Sequence, residues 1–311
     1  MVKVKQPRRS AEREIAEPES AEAPAPPRWR GWFRPTILAS LALAAAAVLL
    51  WPHISKFLPD ISQRGEYRVA VSDIEISRPP HWVPQTLIQQ VAEQASLPEQ
   101  VSLLDDSLVE TVARAFRQHP WVEKVVRVRK SYPARLEVEL EYRKPVAMVE
   151  VKQGLYPIDA SGILLPPTDF SITDTKNYPL VSSVRTTPQG AAGNAWGDPV
   201  VLGAAQISAV LSARWKEFSL VEIRVPTGSA EDGVYQLYTK GGSRIVWGRS
   251  PASDHPGELS AEQKVGRMEE YVNRFGGFDQ PNGPYEIDIR HLQEISRKRL
   301  AADQLNSRPR R

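Results

Sequence analysis

The sequence predicts an α+β protein with three parts. They are a single N-terminal transmembrane helix, a β-α-α-β-β module, and a mixed α/β domain with a mainly antiparallel sheet. Three observations predict this. The run Thr36 to Trp51 carries no charge. Two helix-period segments, 83 to 95 and 105 to 119, lead into two alternating strands. Past Pro145, short alternating runs separated by turn residues surround two further helical patterns.

At 311 residues there is room for two ordinary domains plus appendages. The expected divisions are a disordered cytoplasmic tail (1–34), an anchor (35–58), a first exported domain (66–143), a second (144–299) and a disordered basic tail (300–311). A net charge of +3, with acids interspersed among the bases, argues against nucleic-acid binding. Cysteine is absent, which excludes disulfides, thiolate metal sites and a Cys nucleophile.

The anchor expectation rests on "TILASLALAAAAVLLW", from Thr36 through Leu50 to Trp51, with Trp32 and Phe33 before it as interfacial aromatics. Crossing the hydrocarbon core takes about 20 apolar residues; this run falls short unless Ile54, Phe57 and Leu58 extend it past Pro52. Lys3, Lys5, Arg8, Arg9, Arg13, Arg28, Arg30 and Arg34 precede it, so a single-pass type II orientation with a cytoplasmic N-terminus is expected. A cleaved signal peptide is the alternative, because Ala42-Leu43-Ala44 resembles a cleavage site; the long leading region and the apolar stretch continuing past it favour an uncleaved anchor.

Next, "YRVAVSDIEIS" (67–77) alternates as a strand with an expected bulge near Ser72-Asp73. A helix over 83–95 carries Leu87, Ile88 and Val91 on one stripe, with Pro84 in its first turn. A second helix starts at Asp105 or Asp106 as cap, repeats Leu108, Val109, Val112, Ala115 and Phe116, and is ended by Pro120. Trp121 should wedge between helix and strand. On the next strand Val126 and Val128 face the helices while Arg127 and Arg129 face out. On its partner Leu136, Val138 and Leu140 alternate with Glu137, Glu139 and Glu141, and Tyr132-Pro133 supplies the turn. The Arg and Glu rows are thus structural, cross-strand ion pairs that fix register.

The second domain begins with "VAMVEV", followed by "LYPIDASGILLPP", in which Ile158-Asp159 and the Asp-Ala-Ser-Gly turn separate two strands. "DPVVLGAAQISAVLSARW" (198–215) has helical spacing, with Gly203 as a weak point. "LVEIRV", "VYQLYT" and "SRIVWG" are strands, the last two joined across Lys240-Gly241-Gly242. A helix spans about Ala261 to Phe275, and "YEIDIRHLQEIS" closes as strand.

No active site is legible. The five histidines (53, 81, 119, 255, 291) lack metal-ligand spacing, and no Gly-x-Ser-x-Gly elbow exists. "TKGGSR" reads as a hairpin turn rather than a phosphate cradle. Asp159 and Asp288 read as turn and cross-strand carboxylates. His119 reads as a helix-ending residue, favoured there when cationic. No cofactor, metal or small-molecule substrate is expected.

The stretch "HPWVEKVVRVRKSYPARLEVELEYRKPVA" (119–147) resembles the signature of FtsQ/DivIB bacterial cell-division proteins. His119-Pro120-Trp121-Val122 introduces a strand, Tyr132-Pro133 turns it, and an Arg/Lys-Pro-Val-Ala run leads out. The β-α-α-β-β unit is similar to a POTRA domain, and "IDIR" (287–290) is similar to a strand of the family's second, β domain. His291 departs from the aromatic residue the family often carries there, and the 185–198 loop is longer than the family pattern.

The resemblance implies a non-enzymatic divisome scaffold in the inner membrane at the division site. Its implied partners are FtsB- and FtsL-type bitopic membrane proteins and other divisome components. It also implies capture by β-augmentation at the edge strand near the C-terminus. The matching segment is Tyr285 to Arg299, with Tyr285, Ile287, Ile289, His291 and Ile295 as contact residues and the Arg/Lys cluster 297–299 either an acid-attracting patch or a solvated tail. The rivals are a POTRA-containing envelope protein for protein secretion or outer-membrane assembly, which would need a further module, and an exported enzyme, which would need clustered chemistry.

Overall fold

The computed structural model describes residues 35–54, 64–226, 233–253, 255–291 and 294–300. The expected tail 1–34, and the expected tail 300–311 apart from Leu300, lie outside them. The chain divides into two compact units, Met1–Asp60 and Ile61–Arg311.

The first unit contributes helix α1 (Pro35–Ile54). Its apolar run before Pro52, Thr36 to Trp51, rises about 24 Å at 1.5 Å per residue, less than the ~30 Å hydrocarbon core. Among the described residues no helix is long and apolar enough to cross a membrane. The expected transmembrane anchor through Thr36, Leu50 and Trp51 is therefore corrected, and the single-pass topology built on it loses its support. Leu50 and Trp51 are exposed on the helix.

The second unit is built on three sheets and two hydrophobic cores. Strand β1 (Arg68–Ala70) pairs with β3 (Gln100–Ser102), a short strand the sequence reading missed. A 3-10 turn at Val71–Asp73, where a bulge was expected, separates β1 from β2 (Glu75–Ile76). Helices α2 (Leu87–Gln94) and α3 (Leu108–Gln118) follow, then β4 (Val122–Ser131) and β5 (Arg135–Tyr142). The three-stranded sheet runs β2-β5-β4.

Apolar stripes explain the first core. Leu87, Val91, Leu108, Val112 and Phe116 from the helices meet Leu136, Val138 and Leu140 from β5, with Trp121 fully buried; each such side chain contributes about 2 kcal/mol. The N-cap of α3 is Ser107 rather than Asp105 or Asp106; Asp105 closes the turn before it, its Oδ1 accepting the Ser107 N–H and hydroxyl, each at 2.8 Å. Strand β4 departs from expectation. Register shifts at Val122/Lys124 and Val125/Arg127 place Val125 and Val128 against the core and leave Val126 43% exposed. The outward ion pairs do form, Arg127–Glu139 at 2.9 Å and Arg129–Glu137 at 2.7 Å.

The eight-stranded sheet holds the second core. Its strands are β6 (Pro145–Val151), β7 (Gly154–Asp159), β8 (Leu180–Ser182), β9 (Leu220–Arg224), β10 (Tyr235–Thr239), β11 (Arg244–Gly248), β12 (Tyr285–Asp288) and β13 (Ser296–Arg299). The order is β13-β12-β11-β10-β9-β8-β6-β7. Four neighbouring pairs are antiparallel and three parallel, so the sheet is mixed rather than mainly antiparallel. The parallel pairs come from crossovers through the short helix α4 (Ile172–Thr175), through α5 (Pro199–Leu211) and through α6 (Ala261–Phe275).

Gly203 of α5 is no weak point. A Cβ there would strike the Tyr235 hydroxyl and lie 2.8 Å from Ser250 Cβ, so the missing side chain seats Tyr235, whose Oη donates to Val200 O at 2.8 Å.

The candidate partner-binding edge

The C-terminal segment is fixed from α6 onward. A capping box starts α6: Ser260 Oγ accepts the Gln263 N–H at 3.2 Å, and Gln263 Oε1 accepts the Ser260 N–H at 2.9 Å. Gly276, at φ 80°, ends it. Asp279 then reaches back to the β10–β11 turn, where its carboxylate accepts from Thr239 Oγ1 (2.8 Å), Gly241 N and Ser243 N (both 3.2 Å). "TKGGSR" is thus a hairpin turn closed by a distant carboxylate. Ser243 Oγ donates to Phe278 O and accepts the Tyr285 N–H, each at 2.9 Å, which positions the start of β12.

The segment Tyr285 to Arg299, expected as one edge strand, divides into β12 and β13, and β12 is not at the edge. It lies between β11, parallel, and β13, antiparallel. Ile287 and Ile289 are fully buried in the second core, Tyr285 is 8% exposed, and Ile295 packs on the core from its side. Ile287 and Ile289 thus offer no side-chain surface, while Ile295 is only partly buried. His291 is exposed and lies 3.9 Å from Asp288. Burial alone would raise the Asp288 carboxyl, but hydrogen bonds and charge from Arg290 and the His291 charge outweigh it, and its pKa is lowered. Arg290 grips that carboxylate through Nε (3.0 Å) and Nη2 (2.7 Å), a strand-end brace rather than a catalytic pair.

Among the described residues the sheet ends at β13, whose four residues are all exposed. Its parity follows from one bond: Leu300 N donates to Pro284 O at 3.0 Å. In an antiparallel ladder the inward-bonding residues alternate, so Lys298 and Ser296 bond inward to Glu286 and Asp288. Arg297 and Arg299 then present their N–H and C=O groups outward. The Arg297 guanidinium lies 4.4 Å from the Phe275 ring centroid and 4.8 Å from that of Tyr285, which pins the strand side-on. Sequence reading missed this stack because it joins three elements.

The other ends of the two larger sheets are less open. β2 has two residues, and β4 carries two bulges, a feature that twists an edge away from pairing. β7 includes Pro157, without an N–H, and part of its outer side is taken: Leu165 N donates to Pro157 O (2.9 Å) and Asp159 N to Ile163 O (3.1 Å).

The other sequence-marked residues form a separate structural cluster. His119 caps α3, is buried, and accepts the Trp121 N–H through Nδ1 (3.3 Å) while Nε2 meets Gln90 Oε1 (3.0 Å). Burial pushes its pKa down against the raising charge of Asp169, so it packs as a neutral ring, not as the cation expected at a helix end. Trp121 Nε1 donates to Asp169 Oδ2 at 2.7 Å, and Val122 is buried. Tyr132, before Pro133, is exposed in the β4–β5 turn. Asp159 pairs with Arg143 at 2.7 Å and caps its own turn. No group of three or more metal-ligating side chains occurs among the described residues.

No protein-family model matches the chain. Two curated relatives do. It is 31% identical over 128 residues to the cell division protein FtsQ of Anaeromyxobacter sp. (strain K), covering 41% of this chain and 38% of that protein. It is 35% identical over 66 residues to the cell division protein FtsQ of Koribacter versatilis (strain Ellin345), covering 21% of this chain and 18% of that protein. Each match thus spans well under half of the relative's length.

Proposed function

On the footing that this chain belongs to the FtsQ family, which its two FtsQ relatives support, we propose that it acts in bacterial cell division as a non-enzymatic scaffold. It captures FtsB- and FtsL-type bitopic partners by strand addition to β13 and links them to septal wall synthesis at the division site. The first module, with its POTRA-like order, contributes contacts to other divisome components.

One observation carries this reading. β13 ends an eight-stranded sheet, and the backbone groups of Arg297 and Arg299 face outward beyond it. Unpaired N–H and C=O groups on an ordered strand are a template for another chain. The side chains select the partner: Arg297, Lys298 and Arg299 favour an incoming strand with acidic residues and disfavour a second copy of this strand.

The test separates backbone from side chain. Arg299→Pro deletes one outward donor while leaving the inward ladder alone; Arg299→Ala deletes the charge only. Binding of a purified FtsB-type partner to the full chain should fall far more with proline than with alanine. Equal binding by the two variants would refute strand addition at this edge.

A further inference from the structure

A cleft of about 410 Å³ opens between the β2–α2 connection and the segment around α4, lined by His81, Trp82, Pro84, Phe170, Asp174 and Tyr178 among others. Its size falls in the range of ligand pockets. It uses none of the β13 residues.

Three properties give it a definite chemistry. Its aromatic walls are held in place: Trp82 Nε1 donates to Arg143 O at 3.0 Å, His81 meets the Trp82 ring edge-on at 4.9 Å, and Phe170 meets Tyr178 edge-on at 5.9 Å. Its charge is negative, from Asp169 and Asp174, and no Lys or Arg among the described residues lines it. Its polar groups are only half used. Asp169 Oδ2 takes the Trp121 indole while its Oδ1 has only a 3.4 Å contact from Thr168 Oγ1. Asp174 Oδ2 takes the Ser171 hydroxyl (2.6 Å) and N–H (3.0 Å), which leaves its second oxygen. Hydrogen bonds from Ser171 hold the Asp174 carboxyl below its ordinary value, so it is ionised near neutral pH.

We propose that this cleft receives a basic side chain of a partner polypeptide, an Arg or Lys flanked by proline or another apolar residue. Aromatic faces beside paired carboxylates attract a guanidinium or ammonium by cation–π and ionic contact together. The cleft exceeds the volume of the cation alone, and Trp82, Val83, Pro84 and Phe170 offer the remainder to an apolar neighbour. An anionic ligand would face two uncompensated carboxylates.

The probes are fluorescein-labelled Pro-Pro-X-Pro-Pro peptides, with X as Arg, Lys or the neutral isostere citrulline, titrated against the full chain. The Arg and Lys peptides should saturate, and citrulline should bind about tenfold or more weakly, a factor typical of losing one charged contact. The double variant Asp169→Asn/Asp174→Asn keeps acceptor oxygens for Trp121 and Ser171 and should weaken the Arg peptide similarly. Asn177→Lys, at an exposed lining residue, should block it without touching the core. Arg299→Pro should bind the Arg peptide like wild type, which separates this site from the edge strand. Absence of saturation by either cationic peptide, equal binding of citrulline, or indifference to both cleft variants would overturn the proposal.

Discussion

Arg143 and Asp159 form an ion pair at 2.7 Å, with side chains only 17% and 6% exposed. Arg143 leaves the first module and Asp159 closes the turn that follows β7 in the second. The Arg143 backbone is held as well, its N–H donating to Trp121 O (2.9 Å) and its carbonyl accepting from Trp82 Nε1 (3.0 Å). The "Arg-Lys-Pro" run of the signature is thus a structural clasp between two cores.

Arg143→Ala should therefore destabilise the protein by about 3 kcal/mol, because it leaves a nearly buried carboxylate unpaired. Asp159→Asn should cost less than Asp159→Ala, since the amide oxygen still accepts from Ser161 N and Ile163 N. Urea unfolding curves of the three variants check the order.

Gly203→Ala should destabilise although alanine is the better helix former by about 1 kcal/mol. The added methyl meets Tyr235 and Ser250 in a filled core, and overpacking of that kind costs about 1–3 kcal/mol. Thermal denaturation of Gly203→Ala reports the sign, and Gly203→Ala/Tyr235→Phe should recover part of the loss because it removes the struck oxygen.

His119 predicts a pH dependence. Its folded pKa is lowered, chiefly by burial. Between that value and the unfolded one, near 6.5, the unfolded chain binds more protons, so stability rises with pH across the window. Acidification from pH 7 should therefore cost stability until the buried ring itself titrates. His119→Asn, which retains an acceptor for the Trp121 N–H, should flatten the slope between pH 7 and the carboxylate range.

Ile287→Lys should not yield a folded, partner-blind protein. Ile287 is fully buried between β11 and β13, so a lysine there should cost about 4 kcal/mol or more. Circular dichroism should show loss of fold before any binding comparison is meaningful.

Much of this was legible in the sequence for local reasons. The strict alternation in β5 dictates its buried face, and Ser260, Gln263 and Gly276 mark both ends of α6. What stayed hidden was long-range. A bulge adds a residue without changing composition, so Val126 read as core. Ile287, Ile289 and Ile295 read as one strand because nothing local distinguishes the edge from its inner neighbour. That β12 runs parallel to β11 depends on a crossover through α6, which no local pattern encodes. The Asp279 clamp and the Arg297 stack join residues tens of positions apart. The charge-free run at Thr36–Trp51 was legible as a helix, but its length decided against the span.

The most direct test of strand addition is amide hydrogen exchange at Arg297 and Arg299 with and without a saturating FtsB-type partner. Both outward amides should slow by about tenfold or more on binding, as amides do when they enter a ladder, while Lys298, already bonded inward, changes little. A partner that binds tightly yet leaves both amides exchanging at the free rate would contradict the account.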